Sequence, residues 1–364
     1  MKIRSGASRP FLSLAAGLAA VVATASSAMA ASYPTPKPGD WTAHNFKFHD
    51  GEVLPAAKLH YVTIGNPSGE PVLILHGTFQ TSKSLLTPSF AGALFGPGEP
   101  LDARKYFIII PDVLGGGGST KPSDGLRMKF PHYDYTDVVN AEYQLVRDGL
   151  GIKHLRLVMG NSMGGMETWI MGETYPGYMD ALVPMAASPG AISGRNWMMR
   201  RMLIDAIETD PSFDGGYYKA EPKALHVDTL MFATATNGGT LADQAQAPSS
   251  ALGDAILAKA LAAPLGLDAD DEVYQVASAS DYDPTPGLEK ISAPVLTIDS
   301  ADDERNPQET GLMAEGLKHV RDAHFLLIPA SAHTHGHGTM AYAHFYAPQL
   351  AAFLASAPQR SIKP

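Results

Sequence analysis

The stretch Leu157-Val158-Met159-Gly160-Asn161-Ser162-Met163-Gly164-Gly165-Met166 decides how this chain is read. It begins as a short run of apolar residues and passes through Gly-x-Ser-x-Gly. It continues into a helical pattern over Glu167, Thr168, Trp169 and Ile170. A strand that turns this sharply into a helix holds the serine at a strained backbone angle. Only small residues two before and two after the serine let strand and helix approach that closely. The hydroxyl of Ser162 then projects beyond the carboxyl end of the strand, beside the positive end of the helix dipole. Ser162 is therefore the expected nucleophile.

Outward from this point the chain repeats one kind of segment. Leu59–Ile64, Val72–Leu75, Tyr106–Ile110, Leu155–Met159, Ala181–Met185, Val295–Ile298 and Phe325–Ile328 are short, nearly all apolar, and each is closed by Gly, Pro, Asp or Ser. Such runs read as strands buried on both faces of a parallel sheet. Thr136–Leu150 and Glu309–Val320 are long enough to be crossover helices. Alternating strand and helix indicates an open, mostly parallel α/β sheet with helices on both faces. Between Pro189 and Lys290 the rhythm stops. Trp197, Met198, Met199, Met202, Leu203 and Ile207, then Leu230–Ala233 and Ala251–Leu265, recur at helical spacings. This predicts a core over 31–188 and 291–364, with a helical lid insertion over 189–290. The methionines read as gap-filling core or as the lining of an apolar pocket. Residues 31–40 are Pro-rich and read as an extended, loosely held lead-in.

A serine needs a base, and the base needs an acid to orient it. In a sheet of this kind they follow in the order Ser, Asp or Glu, His. Val295–Ile298 leads into Asp299-Ser300-Ala301-Asp302-Asp303-Glu304. Phe325–Ile328 leads into Ser331-Ala332-His333-Thr334-His335-Gly336-His337-Gly338. His337 is favoured as base, because flanking glycines leave its ring room to reach Ser162; His335 is the alternative. The loop after Val295–Ile298 offers Asp302 and Asp303 as acids, with Asp299 and Glu304 less suited. Val72-Leu73-Ile74-Leu75-His76-Gly77-Thr78 places a second loop at the same sheet edge. The amides of Thr78 and Met163 are the candidate oxyanion donors, and His76 reads as a structural hydrogen-bonding residue. His333, His335 and His337 alternate, so an extended loop would aim them one way, as in zinc or copper sites. No metal and no cofactor are expected, because a histidine base already accounts for this loop.

Composition narrows the class. Residues 1–30 read as a Sec-type signal peptide. Lys2, Arg4 and Arg9 form a basic start, Phe11–Ala25 is apolar, and Ala28-Met29-Ala30 suits cleavage. A periplasmic or secreted protein of 334 residues is the expectation. Its 24 Lys+Arg face 37 Asp+Glu, a formal net charge of −13. That balance argues against nucleic acid and against anionic lipid. The absence of cysteine excludes disulfides, a thiol nucleophile and thiolate metal sites.

Taken together, these motifs resemble the α/β-hydrolase superfamily and, within it, the homoserine O-acetyltransferase-like group. The resemblance runs over roughly residues 50–355. It is carried by Leu59–Gly65, by Ser162-Met163-Gly164-Gly165-Met166, by Ala206-Ile207-Glu208-Thr209-Asp210-Pro211 with Gly215-Gly216-Tyr217, and by Gly336-His337-Gly338. It implies the triad order, a helical lid and, from a proline four residues after the acid, Asp303 rather than Asp302. The group's dimers raise the prospect of a homodimer. Two departures count against a true homoserine acetyltransferase. Asn161 replaces the glycine before the serine. Ile204 stands where the group has a substrate-binding arginine, with Arg200 and Arg201 one turn earlier. The implied activity is hydrolysis of a small or medium acyl ester through an acyl-enzyme. The alternatives are acyl transfer on the same residues, or a non-catalytic binding protein.

Overall fold

The computed structural model describes residues 33–360; the expected signal peptide lies outside them. Eight strands form one sheet in the order β1-β2-β4-β3-β5-β6-β7-β8. They are β1 (Lys37–Lys47), β2 (Val53–Gly65), β3 (Glu70–Leu75), β4 (Tyr106–Pro111), β5 (Leu157–Asn161), β6 (Leu182–Met185), β7 (Val295–Ser300) and β8 (Ala323–Ile328). From β4 to β8 every pairing is parallel, while β1 and β2 add antiparallel pairings at one edge. Strand β5 lies between β3 and β6, so Ser162 leaves the sheet near its centre.

The inner strands are apolar at consecutive positions because both faces are covered. In β3, Leu73 belongs to one core and its neighbour Ile74 to the other. The first core is completed by α2 (Tyr135–Gln144) and α3 (Met163–Thr174), with Trp169 fully buried. The second is completed by the short α1 (Ala91–Leu94) and by α10 (Ala347–Ser356). Between β6 and β7 the regular elements of the described residues are all helical. The longer ones are α4 (Gly194–Thr209), α5 (Lys223–Thr236), α6 (Thr240–Gln246), α7 (Ser250–Ala262) and α8 (Ala269–Ala277). Leu203, Ile204, Ile207, Leu225, Phe232 and Val273 form a third, smaller core within this layer.

Several expectations are corrected. The Pro-rich lead-in enters β1, which pairs with β2 from Lys37 opposite Thr63 to Lys47 opposite Val53. Its alternation is irregular and half its residues are polar, which hid it. Leu59–Ile64 is antiparallel, not parallel, to both its neighbours. β8 is an edge strand with Phe325 and Leu327 exposed, although its apolar run matches that of a buried strand. The helix expected over Glu309–Val320 is only α9 (Leu312–Leu317) after a single 3-10 turn, because Gly311 sits at φ 70° and breaks it. Met198 and Met202 face solvent, filling neither core nor pocket. α7 buries none of its residues.

Candidate active site

Ser162 occupies the turn between β5 and α3 with φ 58° and ψ −114°, a conformation that disfavours any side chain. The neighbouring glycines explain how the turn closes. A Cβ on Gly160 would lie 1.9 Å from the Gly164 carbonyl oxygen, and one on Gly164 would lie 2.4 Å from the Leu75 carbonyl oxygen. The turn is tied to both adjacent strands: Ser162 N–H donates to the Met185 carbonyl at 2.9 Å, and Gly164 N–H to the His76 carbonyl at 3.0 Å. The amide between them, that of Met163, donates to no protein acceptor among the described residues.

The loop after β3 has the same character. Gly77 N–H donates to Gln80 Oε1 at 3.0 Å and Phe79 N–H to Gln275 Oε1 at 2.6 Å. Gln80 N–H returns to the Gly77 carbonyl at 3.1 Å. Among the described residues the Thr78 amide has no protein acceptor. Gly77 packs so closely on the serine that a Cβ there would meet Ser162 Cβ at 3.4 Å. His76 is buried. It receives Val113 N–H on Nε2 at 3.2 Å, so Nδ1 carries the proton and donates to the Gly77 carbonyl at 2.9 Å. Burial lowers its pKa, in keeping with a neutral structural ring.

The loops after β7 and β8 bring two further groups to Ser162. His337 Nε2 is 2.7 Å from Ser162 Oγ, and His337 Nδ1 is 2.8 Å from Asp303 Oδ2. All three residues are buried. Asp303 Oδ1 accepts the Arg305 amide at 2.7 Å, and Oδ2 accepts Asn306 Nδ2 at 3.0 Å. Asn306 is itself fixed by the Ala186 carbonyl and the Ser188 amide. Burial opposes the Asp303 carboxylate, but His337, Asn306 and the Arg305 amide outweigh it and hold its pKa below the ordinary value. Burial, reinforced by Arg305 and Arg200 against the pull of Asp303, holds His337 below its own. An anionic aspartate beside a neutral imidazole is the state in which Nε2 can take a proton from a hydroxyl near pH 7.

The alternatives lie elsewhere. Asp302 bonds to Ser300 Oγ and, at 2.8 Å, accepts Thr334 Oγ1, so it joins the two loops without touching His337. His335 stacks on Tyr342 with ring centroids 4.6 Å apart. His333 is exposed on the Ser331–Thr334 turn, which is not the extended backbone a three-histidine array needs. Among the described residues, one histidine–carboxylate group has metal-like spacing: His49, Asp134 and Asp137. It coincides with the capping box of α2.

Three residues were given no role by the sequence, although Arg200 was noted one turn before Ile204. Asn306 orients the acid. Arg305 donates to Thr236 Oγ1 at 3.0 Å and Asn237 Oδ1 at 2.9 Å. Arg200 is fully buried, donates Nε to Asn196 Oδ1 at 3.1 Å, and leaves both terminal nitrogens without a hydrogen-bond acceptor among the described residues. Its signal was present: Arg200 shares the face of α4 that carries Asn196, Leu203, Ile204 and Ile207, all buried. A charge on the apolar stripe of a helix is a marker of function. The hydroxyls of Tyr135 and Thr78 are likewise buried and face each other.

A central parallel sheet, a strained serine after β5, and acid and histidine loops after β7 and β8 match one architecture. Residues 70–230 match the family described as alpha/beta hydrolase fold. This is an α/β-hydrolase-fold protein. Among solved structures it is similar to homoserine O-acetyltransferase from Bacillus anthracis, with a TM-score of 0.77, 22% identity, and 90% of this chain and 99% of that one covered. It is as similar to an acetylester hydrolase from Corynebacterium glutamicum, with a TM-score of 0.76, 21% identity, and 88% and 96% covered. In sequence, 35% identity over 189 residues relates it to homoserine O-acetyltransferase of Thermobifida fusca (strain YX), 47% of this chain and 49% of that protein. The chain spans about half the length of the sequence relatives it matches. In sequence its resemblance is thus to homoserine O-acetyltransferases, and the solved structures that share its fold include esterases as well as an acyltransferase.

Proposed function

We propose that this α/β-hydrolase-fold protein is an exported serine hydrolase acting on carboxylic esters through an acyl-enzyme. The observation that carries this reading is the continuous hydrogen-bonded series from Ser162 Oγ through the His337 ring to Asp303. Ser162 Oγ attacks the ester carbonyl carbon as His337 Nε2 takes its proton. Asp303 holds the ring and stabilises the imidazolium. The carbonyl oxygen becomes an oxyanion, which the free amides of Thr78 and Met163 receive. His337 returns the proton to the leaving alcohol. Water, deprotonated by the same ring, then releases the acid and restores Ser162. None of these steps uses a cofactor.

A second reading, acyl transfer to a hydroxyl compound, is favoured by one observation. The buried Arg200 guanidinium has two terminal nitrogens without acceptors, which suits an acceptor or acyl group bearing a carboxylate. One experiment addresses both readings. The wild type is expected to hydrolyse short-chain esters and to take a fluorophosphonate label, while Ser162→Ala loses turnover by about 10³-fold or more with its fold intact. Ester turnover unchanged in Ser162→Ala would reject the proposal. Products in which an added hydroxy acid carries the acyl group, exceeding hydrolysis, would favour transfer.

A further inference from the structure

The acid and histidine loops do not meet each other directly along their backbones. The turn that ends α5 in the helical layer stands between them. Asn237 caps α5. Its carbonyl accepts the backbone N–H of His337 at 2.7 Å, and Gly239 N–H donates to the Asp302 carbonyl at 3.2 Å. Gly238 forms an isolated antiparallel bridge with Asp303. The fit leaves no slack: a Cβ on Gly238 would lie 1.9 Å from the Asp302 carbonyl oxygen, and one on Gly336 would lie 2.0 Å from that of Asn237. Arg305, two residues beyond the acid, grips the same turn from the other side. Its Nε and Nη2 reach Thr236 Oγ1 and Asn237 Oδ1, and its guanidinium lies 4.5 Å from the Phe232 ring centroid.

We propose that Asn237 and Arg305 are positioning residues of the active site, and that the turn ending α5 is the spacer that sets the separation of Asp303 and His337. The inference rests on the serine-hydrolase reading for its kinetic arm alone. Its physical basis is that β7 and β8 fix only the starts of the two loops. Beyond them the Asp302–Thr334 bond ties the loops by side chains, while the backbones at Asp303 and His337 are both held by the turn that ends α5, and misplacement by about 1 Å can cost about 10²-fold in rate. Because that turn belongs to the insertion between β6 and β7, any shift of α5 reaches the acid and the base together. The helical layer thereby sets the competence of the site as well as covering it.

The test uses Arg305→Lys, which keeps the charge but cannot span both acceptors, and Asn237→Ala, which keeps the carbonyl that holds His337 and removes Oδ1. Each is expected to lower kcat on a short neutral ester about tenfold, with KM within about twofold. The double variant should cost no more than the worse single one, because both remove the same contact. The second readout is the low-field proton resonance of His337 Nδ1–H held by Asp303, which should shift or broaden in both variants. Wild-type kcat and an unchanged resonance in the two variants, even with a lowered melting temperature, would overturn the proposal. So would full additivity in the double variant. If Arg305→Lys fails to fold, Asn237→Ala alone decides on the same terms. The resonance can also be read in a Ser162→Ala background. A wild type without esterase activity would therefore defeat the hydrolase reading while the positioning claim is still decided by the spectrum.

Discussion

Asp302 and Asp303 are adjacent and carry the same side chain, yet their surroundings differ. Asp303 accepts the Arg305 amide and Asn306 Nδ2 besides His337 Nδ1, so both its oxygens are held. Asp302 accepts hydroxyls from Ser300 and Thr334. Removing the charge at the two positions should therefore have unequal effects. Asp303→Asn is expected to lower kcat/KM by about 10³-fold or more, because the ring loses both its orientation and the anion that stabilises its protonated form. Asp302→Asn should cost less than about tenfold, through slackened loops. Comparable losses in the two variants, measured on one ester, would count against Asp303 as the acid.

Among the elements, the pair α2 and α3 carries an unusual burden beneath the nucleophile. Glu142 on α2 and Glu167 on α3 are both fully buried, and each leaves a carboxyl oxygen without a partner. Burial raises Glu167 to about 8 and pushes Glu142 well above the usual range, with Glu167 adding to the latter. In the unfolded chain these groups ionise near 4.3. The folded state thus holds more protons than the unfolded state across that interval. The contribution of this pair to stability is greatest at the acid end and falls as pH rises towards about 8, by at most roughly 1.4 kcal/mol per pH unit for each proton. Glu167→Gln removes one such proton from the balance. Its melting temperature should exceed that of the wild type at pH 8 and converge with it near pH 4.5; parallel curves across the range would show that the pair is not neutral in the fold. The elements also show where pattern reading stops. β8 has the apolar run of an inner strand yet lies at an edge, because run composition reports strand propensity and not how many neighbours the strand acquires. α7 is as apolar as a core helix yet buries none of its residues, since periodicity says which face is apolar and not what meets it.

At the scale of the whole molecule, export is read from residues 1–30 alone. Its check is the N-terminus of the protein isolated from its native host: cleavage after Ala30 predicts a mature chain beginning at Ala31 and found outside the cytoplasm, whereas an intact Met1 in the cytoplasmic fraction would end that reading. The rest of the fold divides by what generates it. Buried strands, the alternation with helices, the helical interval between β6 and β7, and the strained turn at Ser162 are local or nearly local consequences of residue type. The sequence by itself therefore determined the sheet class and where the serine stands. The glycines around His337 favoured it over His335, and the resemblance favoured Asp303 over Asp302, but the meeting of these groups with Ser162 was decided only by tertiary structure. Those loops are polar, irregular and 30 or so residues apart, and nothing in either one encodes the distance to the other. That distance comes from the spacing of β7 and β8 and from the turn at Asn237–Gly239 set between them. Arg200 and Arg305 share this origin: their charges are visible in the chain, but the burial of Arg200 and the grip of the partly buried Arg305 on Thr236 and Asn237 exist only after the helical layer has packed.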